Sequence, residues 1–457
     1  MQIVLYYDNQ SLAKKIEDRI LANKREDTKI LHIDELSRKD LMDARYIYVE
    51  WGLADFILKN YWELITKKPM GFYNDSFISD IDDCDDILKI MGNAVKEKRW
   101  RLCKSINEFL MYGDLIRKRK ELKCLPSKIQ IESTDLCNAR CIMCSHAYNP
   151  GSGVDLFESG ILEKLNNYFP FLKEVVLHGN GEPFIVKKIV DYLKLLGEYD
   201  IKFIANTNLS VVSEELLRLF EANFIELNIS CDGHTRELYE SIRCGLSFDV
   251  FTENVKKVRK ECPKLYMKMD TVVMRQNLYS LEKIVVFASE LGFDEIVFNM
   301  LCVDKRNNNT EDSPLNYIND YQENVCRAVK MGTSLGIKVT YFDLATNNKK
   351  GASGDKAHVF GICDWLVEGP YVDLRGQVGL CCINQNYFVG DLQDRSFEQI
   401  WNGEKYQALR TQFYNGVIPD YCYGCDFLLQ ERLKYMISYG KSNKITRKRE
   451  REIYTNE

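Results

Sequence analysis

Short apolar runs of strand length alternate with stretches of helical period along most of the chain. In the first hundred residues the runs fall at 3–7, 29–33, 46–50 and 70–73. Segments 11–23 and 54–66 repeat apolar residues at helical spacing, and a short polar helix follows 29–33. This alternation predicts a small parallel sheet flanked by helices. A basic helical stretch over 104–122 leads onward, and its charge reads as a solvated face. From residue 128 the rhythm becomes more regular. Strands are predicted at 128–133, 174–178, 202–205, 225–230, 266–273 and 295–299, with helices at 158–168, 186–196, 213–222, 249–262 and 278–291. A late strand at 337–342 extends the series.

Six such βα units predict an α/β fold built on a partial (β/α)6, TIM-like barrel. Chemistry in such folds sits on the loops after the C-terminal ends of the strands. The polar, glycine-rich run 347–355 reads as a linker. The organisation expected is an N-terminal α/β, Rossmann-like domain at 1–103 and the barrel with its lead-in helix at 104–345. A small cysteine-rich domain at 346–440 and a charged tail at 441–457 complete it.

The 457 residues carry 62 Lys and Arg against 67 Asp and Glu, a balance without the basic footprint of a nucleic-acid binder. No apolar run approaches the roughly 18–20 residues of a membrane span. The first eight residues read as a strand and lack the cationic start of a signal peptide. Sixteen cysteines without a secretion signal point to a reducing cytoplasm, where clustered thiols bind metal more often than they pair. With five histidines, imidazole-based metal chemistry is not expected to dominate.

Those thiols are not scattered evenly. Cys137, Cys141 and Cys144 lie on the loop after the strand 128–133. Three thiols so spaced can serve three corners of a four-iron cube, leaving one iron open to a ligand from outside the protein. The alternative is a structural zinc knuckle, which needs a fourth ligand. His146 follows Cys144 too closely to supply it convincingly.

The triplet on a post-strand loop resembles the radical S-adenosylmethionine (SAM) enzymes. The resemblance covers about residues 125–430. It implies a cluster whose open iron binds the amine and carboxylate of SAM and whose electron splits SAM to a 5′-deoxyadenosyl radical. After the second strand, His178-Gly179-Asn180-Gly181-Glu182-Pro183 is similar to the family's Gly-Gly-Glu-Pro loop, with Asn180 in the first glycine position. By resemblance Gly181 and Glu182 hold the SAM amino group. Asn206, Thr207 and Asn208 follow the third strand, and Asn208 is a candidate for ribose or carboxylate contact. Ser230-Cys231-Asp232-Gly233 resembles the family's Ser-x-Asp-Gly, which places Ser230 and Asp232 near the ribose hydroxyls or the carboxylate. Asp232 could instead cap the next helix. Arg243 is a candidate for the SAM carboxylate, or else a member of a surface ion pair. Met143 would pack on adenine, or simply in the core.

A second cysteine set follows: Cys363, then a hairpin turning at Arg375-Gly376 and ending in Cys381-Cys382. Val389-Gly390-Asp391-Leu392, Phe397-Glu398-Gln399-Ile400-Trp401 and Cys422-Tyr423-Gly424-Cys425 come after it. This resembles the auxiliary-cluster domain, SPASM or its shorter twitch relative. With no cysteine after Cys425, it implies one auxiliary 4Fe–4S cluster on Cys363, Cys381, Cys422 and Cys425, with Cys382 the neighbouring alternative to Cys381. A four-cysteine zinc site would share this spacing. Cys231 and Cys302, at strand ends, are candidates to give a hydrogen atom to a substrate radical. No catalytic residue is otherwise assigned.

The resemblance implies a radical SAM enzyme that takes a hydrogen atom from its substrate and draws electrons from a donor such as flavodoxin or ferredoxin. The substrate expected is carbohydrate-like, oxidised or epimerised. That expectation rests on the single auxiliary cluster and on an N-terminal pattern weakly similar to the nucleotide-fold half of some glycosyltransferases. No Gly-x-Gly-x-x-Gly marks a dinucleotide site there. The alternative is a peptide maturase, although the strand–helix alternation does not look like a winged-helix leader-binding domain. A non-catalytic iron–sulfur or zinc scaffold is the third reading. Neither nucleic acid nor membrane is an expected partner.

Overall fold

The computed structural model describes residues 2–6, 28–32, 37–44, 46–50, 70–73, 78–80, 85–148, 151–156, 159–301, 310–343, 348–350, 363–381, 387–417, 419 and 422. Two sheets organise them. The first holds β1 (Gln2–Tyr6), β2 (Thr28–His32), β3 (Tyr46–Glu50), β4 (Met70–Tyr73) and β5 (Ile78–Asp80) in the order β2-β1-β3-β4-β5. The first four strands are parallel, and β5 pairs antiparallel with β4. Strand β5 is too short and polar to stand out in the sequence. The helices expected at 11–23 and 54–66 lie outside the described residues.

The second sheet holds β6 (Lys128–Ile131), β7 (Glu174–Leu177), β8 (Lys202–Thr207), β9 (Phe224–Ser230), β10 (Tyr266–Val273), β11 (Glu295–Met300) and β12 (Lys338–Asp343). All pair parallel with their neighbours in chain order. The expected partial barrel is therefore present, and the late strand at 337–342 is its seventh parallel member. Burial along β8 and β10 alternates residue by residue, as the period-two pleat requires when one face is more deeply covered than the other. Ser213, Thr235 and Ser247 cap the helices Glu214–Asn223, Arg236–Ile242 and Phe248–Glu261 by accepting a backbone N–H. The helix Ile318–Leu335 ends at Gly336, whose φ of +72° makes glycine the natural residue there.

The sheet continues beyond both ends of this series. At one end β13 (Asn348–Lys350) pairs antiparallel with β12, so the run expected as linker contains a strand. At the other, β14 (Tyr371–Val372) pairs parallel with β6, and β15 (Gln377–Gly379) and β16 (Phe388–Asp391) follow antiparallel. The hairpin of the second cysteine set is thus built onto the strand that leads into the first. The basic stretch also differs from expectation: its helix is Trp100–Ile116, and Lys104 is buried, not solvated. Its Nζ donates to the carbonyls of Tyr199 (2.7 Å) and Asp200 (2.6 Å) just past the helix Ile189–Gly197. Burial lowers the Lys104 pKa to about 8.

Candidate active site

Because β6 to β12 are parallel, the loops after them emerge at one edge. The loop after β6 carries Cys137, Cys141 and Cys144, all free thiols. It is clamped to the loop after the helix Arg236–Ile242: Arg140 N donates to Cys244 O (2.7 Å) and Ile142 N to Ile242 O (3.0 Å). Gly245, at φ +91°, lets this approach happen, since a Cβ there would stand 3.1 Å from Asn138 O. Burial pushes Cys137 up and Cys141 to about 11; Cys144 adds to both shifts and Cys137 to that of Cys141. Among the described residues no three Cys, His, Asp or Glu side chains gather around a point as a single metal ion requires.

The loop after β7 lies directly against the cysteine loop. Glu182 N donates to Leu136 O at 2.7 Å. A Cβ on Gly181 would fall 2.3 Å from Thr134 O and 2.5 Å from Leu136 O, so the two backbones meet with no room for a side chain. Glu182 itself is buried. Its carboxylate accepts from Thr207 Oγ1 (2.6 Å), Asn208 N (2.6 Å) and Phe184 N (3.3 Å). Burial nevertheless pushes its pKa up to about 7, against these donors. Asn208 in turn donates from Nδ2 to Asn138 Oδ1 (2.9 Å), joining β8 to the cysteine loop.

Asp232 and Arg243 meet each other. Arg243 Nε lies 2.7 Å from Asp232 Oδ2, with both side chains buried. The other Asp232 oxygen accepts Val272 N at 2.7 Å. Asp232 does not cap the next helix, where Thr235 does so, and Arg243 is not in a surface pair. Arg243 Nη1 also reaches Cys141 Sγ at 3.9 Å. Burial works against its charge, but Asp232 and Cys141 outweigh that and hold it protonated. Ser230 ends β9 and is half-buried. Met143 is half-buried against Ile242, Met274 and Leu301. Cys231 is fully buried and donates to Gly233 O at 3.2 Å, while Cys302 lies outside the described residues.

Sequence reading missed Glu132. It is buried at the end of β6, and its Oε1 accepts both the N–H and the Nδ2 of Asn180, each at 2.9 Å. A Cβ on Gly179 would meet Glu132 Cγ at 2.5 Å. Glu132 N donates to Val372 O (3.0 Å), so the same residue touches the hairpin of the second cysteine set. An acid near the end of the strand predicted at 128–133, with Asn in place of the expected glycine, was the available signal.

In the second set, Cys363 precedes a short 3-10 turn, Asp364–Leu366, and Cys381 follows β15. Gly376 takes φ +87° in the hairpin turn, where Asp373 Oδ1 accepts from Arg375 N (2.9 Å) and Gln377 N (2.8 Å). Ser396 and Gln399 form a reciprocal capping box on the helix Phe397–Trp401. Cys422 is described and half-buried, while Cys382 and Cys425 lie outside the described residues.

Comparison with known proteins decides the family. Residues 131–288 match the radical SAM superfamily and residues 363–426 the SPASM iron–sulfur cluster-binding domain. The chain carries a radical SAM domain followed by a SPASM domain. A radical SAM domain brings a 4Fe–4S cluster and SAM, and a SPASM domain brings auxiliary iron–sulfur binding. The free thiol triplet, the space denied to a Cβ at Gly181 and the buried Glu182 beside it fit that equipment.

Among relatives, the chain is 30% identical over 152 residues to a probable GTP 3′,8-cyclase of Pyrococcus abyssi, covering 33% of this chain and 48% of that protein. It is 26% identical over 167 residues to the mycofactocin maturase MftC of Mycobacterium tuberculosis, covering 35% and 41%. The chain thus spans about half the length of these curated relatives. A longer match, 23% identical and covering 65% of this chain and 86% of the relative, is to a tungsten-containing aldehyde ferredoxin oxidoreductase cofactor-modifying protein of Pyrococcus furiosus. Streptococcus suis SuiB, solved with its precursor peptide SuiA, shares the fold at a TM-score of 0.51 and 14% identity, over 72% of this chain and 75% of SuiB. Among the described residues no helix of the radical SAM–SPASM chain is long and apolar enough to cross a membrane.

Proposed function

We propose that this chain is a radical SAM enzyme that removes a hydrogen atom from an unactivated C–H bond of its substrate. Cys137, Cys141 and Cys144 would hold the reducing cluster, and Cys363, Cys381, Cys422 and Cys425 one auxiliary cluster. When bound, the reducing cluster and SAM supply an electron and a primary carbon radical strong enough to take that hydrogen. The chain's own residues prepare the place. Glu182 offers a buried carboxylate to the SAM amine, and Asn208 fixes the loop that presents it. Gly181 allows close backbone approach, while Ser230 and Met143 line the same edge for ribose and adenine. Arg243 stands beside Cys141 and, neutralised by Asp232, favours a thiolate there without adding net charge. Its engagement with Asp232 makes it a support for the cysteine loop first and a carboxylate ligand second.

The observation that carries this reading is the contact of the Gly181-Glu182 backbone with the cysteine loop. It puts a buried acid within electrostatic reach of Cys137. For the substrate we infer a carbohydrate-type compound, oxidised or epimerised; the reading rests on the single auxiliary cluster and on the weak similarity of the N-terminal half, a sheet with the parallel order β2-β1-β3-β4, to the nucleotide-fold half of some glycosyltransferases. A second reading, peptide maturation, is favoured by the similarity to the mycofactocin maturase. A cytoplasmic setting with a flavodoxin or ferredoxin as electron donor completes the proposal. The test follows deuterium from labelled candidates into 5′-deoxyadenosine. Transfer from a labelled sugar or aminocyclitol supports the first reading, transfer from a labelled peptide the second. No 5′-deoxyadenosine under any condition overturns both.

A further inference from the structure

We propose that the Tyr406 hydroxyl is a hydrogen-bond donor to a sulfur of the auxiliary cluster. The inference rests on reading Cys363, Cys381 and Cys422 as cluster ligands. Tyr406 opens the helix Glu404–Tyr414 and is fully buried. Its ring packs edge-on to Trp401 at 5.1 Å, and the Arg410 guanidinium lies 4.9 Å from its centre. Arg410 Nε donates to Leu366 O at 2.9 Å, and Leu366 N donates to Cys363 O at 2.9 Å. This chain of contacts ties the Tyr406 ring to the turn that begins at Cys363, which packs on the same core.

Polar groups in this corner are otherwise well served. Trp401 Nε1 donates to Cys124 O (3.0 Å), Asn402 exchanges two hydrogen bonds with Leu122, and Arg410 Nη1 donates to Lys120 O (3.0 Å). Among the described residues Tyr406 Oη has no partner, a state it shares here with Arg410 Nη2 and Tyr414 Oη. The two hydroxyls differ in their surroundings. Arg410 bears on both tyrosines, but Tyr414 otherwise has Asp114 and Cys124 about it, whereas Tyr406 has Cys381 and Cys363 among the groups bearing on it. A tyrosine hydroxyl keeps its proton at neutral pH and can donate it.

A buried tyrosine hydroxyl almost always finds an acceptor, and one left open calls for a group not yet counted. Cluster and cysteinyl sulfurs are acceptors, and hydrogen bonds to them stabilise the reduced, more negative cluster and raise its potential. Tyr406 would act on the auxiliary cluster in this way while touching no substrate.

The test uses the full chain carrying Cys137→Ala, Cys141→Ala and Cys144→Ala, so that only the C-terminal set holds iron. After anaerobic reconstitution, iron and sulfide are counted and the cluster is titrated by electron paramagnetic resonance, with and without Tyr406→Phe. The expected result is unchanged iron and a midpoint potential shifted downward in Tyr406→Phe. A second measurement needs no folded variant: reconstitution in D2O should give the parent cluster a strongly coupled exchangeable deuteron. An unchanged potential with iron intact, or no such deuteron in the parent, overturns the inference. No iron in the parent overturns it together with the reading on which it rests.

Discussion

Replacing Asp232 with Asn leaves the shape of the side chain and its acceptor for Val272 N, but removes the charge facing Arg243. At 2.7 Å and an effective dielectric of about 20, the pair attracts by about 6 kcal/mol before desolvation is counted. Removing one member of a buried pair costs about 3–5 kcal/mol, because the other charge stays buried and uncompensated. The loss should be local, since the pair joins β9, β10 and the 243 loop. Hydrogen–deuterium exchange read by mass spectrometry on peptides from 224–245 and 266–273 measures it in the metal-free, reduced protein. Asp232→Asn should speed exchange there on the order of 100-fold or more, and Arg243→Met should do the same. The double variant should cost clearly less than the sum, with a coupling of about 2–3 kcal/mol. With Asp232 neutral, the guanidinium 3.9 Å from Cys141 Sγ acts unopposed, and the Cys141 pKa should fall from about 11. Single-variant losses under about 1 kcal/mol, or simple additivity, would refute the reasoning.

Three further outcomes are expected. In the metal-free protein Glu182 has its pKa raised from 4.5 to about 7, so it supports the folded state fully below about pH 4.5. That support is lost as pH rises through 7, about 3 kcal/mol in all, and Glu182→Gln should flatten exchange rates of 178–186 across this window. Gly181→Ala should weaken SAM binding and cost about 1–3 kcal/mol, because its Cβ meets two backbone carbonyls that cannot swing aside; equilibrium dialysis and thermal melts check both, and wild-type values in each would contradict the packing. Asn180→Gly removes the 2.9 Å bond to Glu132 and should cost about 1 kcal/mol of local stability while SAM affinity holds within a few-fold. A large loss of affinity there would mean that Asn180 itself meets SAM.

Much of the barrel could be read from the chain because its strands and helices have different periods and its helices carry their own Ser and Thr caps. Strand β10 was found with its true ends, Tyr266–Val273. The three-residue strands β5 and β13 were missed, being stabilised by neighbours and not by their own pattern. The burial of Lys104 was invisible for a similar reason: its partners are carbonyls some 95 residues away. In the site, spacing revealed the cysteines and the glycine–acid loop. It could not reveal that Asp232 and Arg243 pair with each other, since an acid and a base eleven residues apart both have plausible partners in a cofactor. Nor could it reveal Glu132, whose role depends on which loop crosses above β6.

The central claim is that the first cysteine set holds a cluster that cleaves SAM and the second holds another. Iron and sulfide counted after anaerobic reconstitution, together with 5′-deoxyadenosine formed from SAM and dithionite, test it most directly. The account predicts about eight irons per chain, falling to about four when Cys137, Cys141 and Cys144 become Ala, with 5′-deoxyadenosine made only by the parent. Bound zinc in place of iron, with no SAM cleaved, would contradict it.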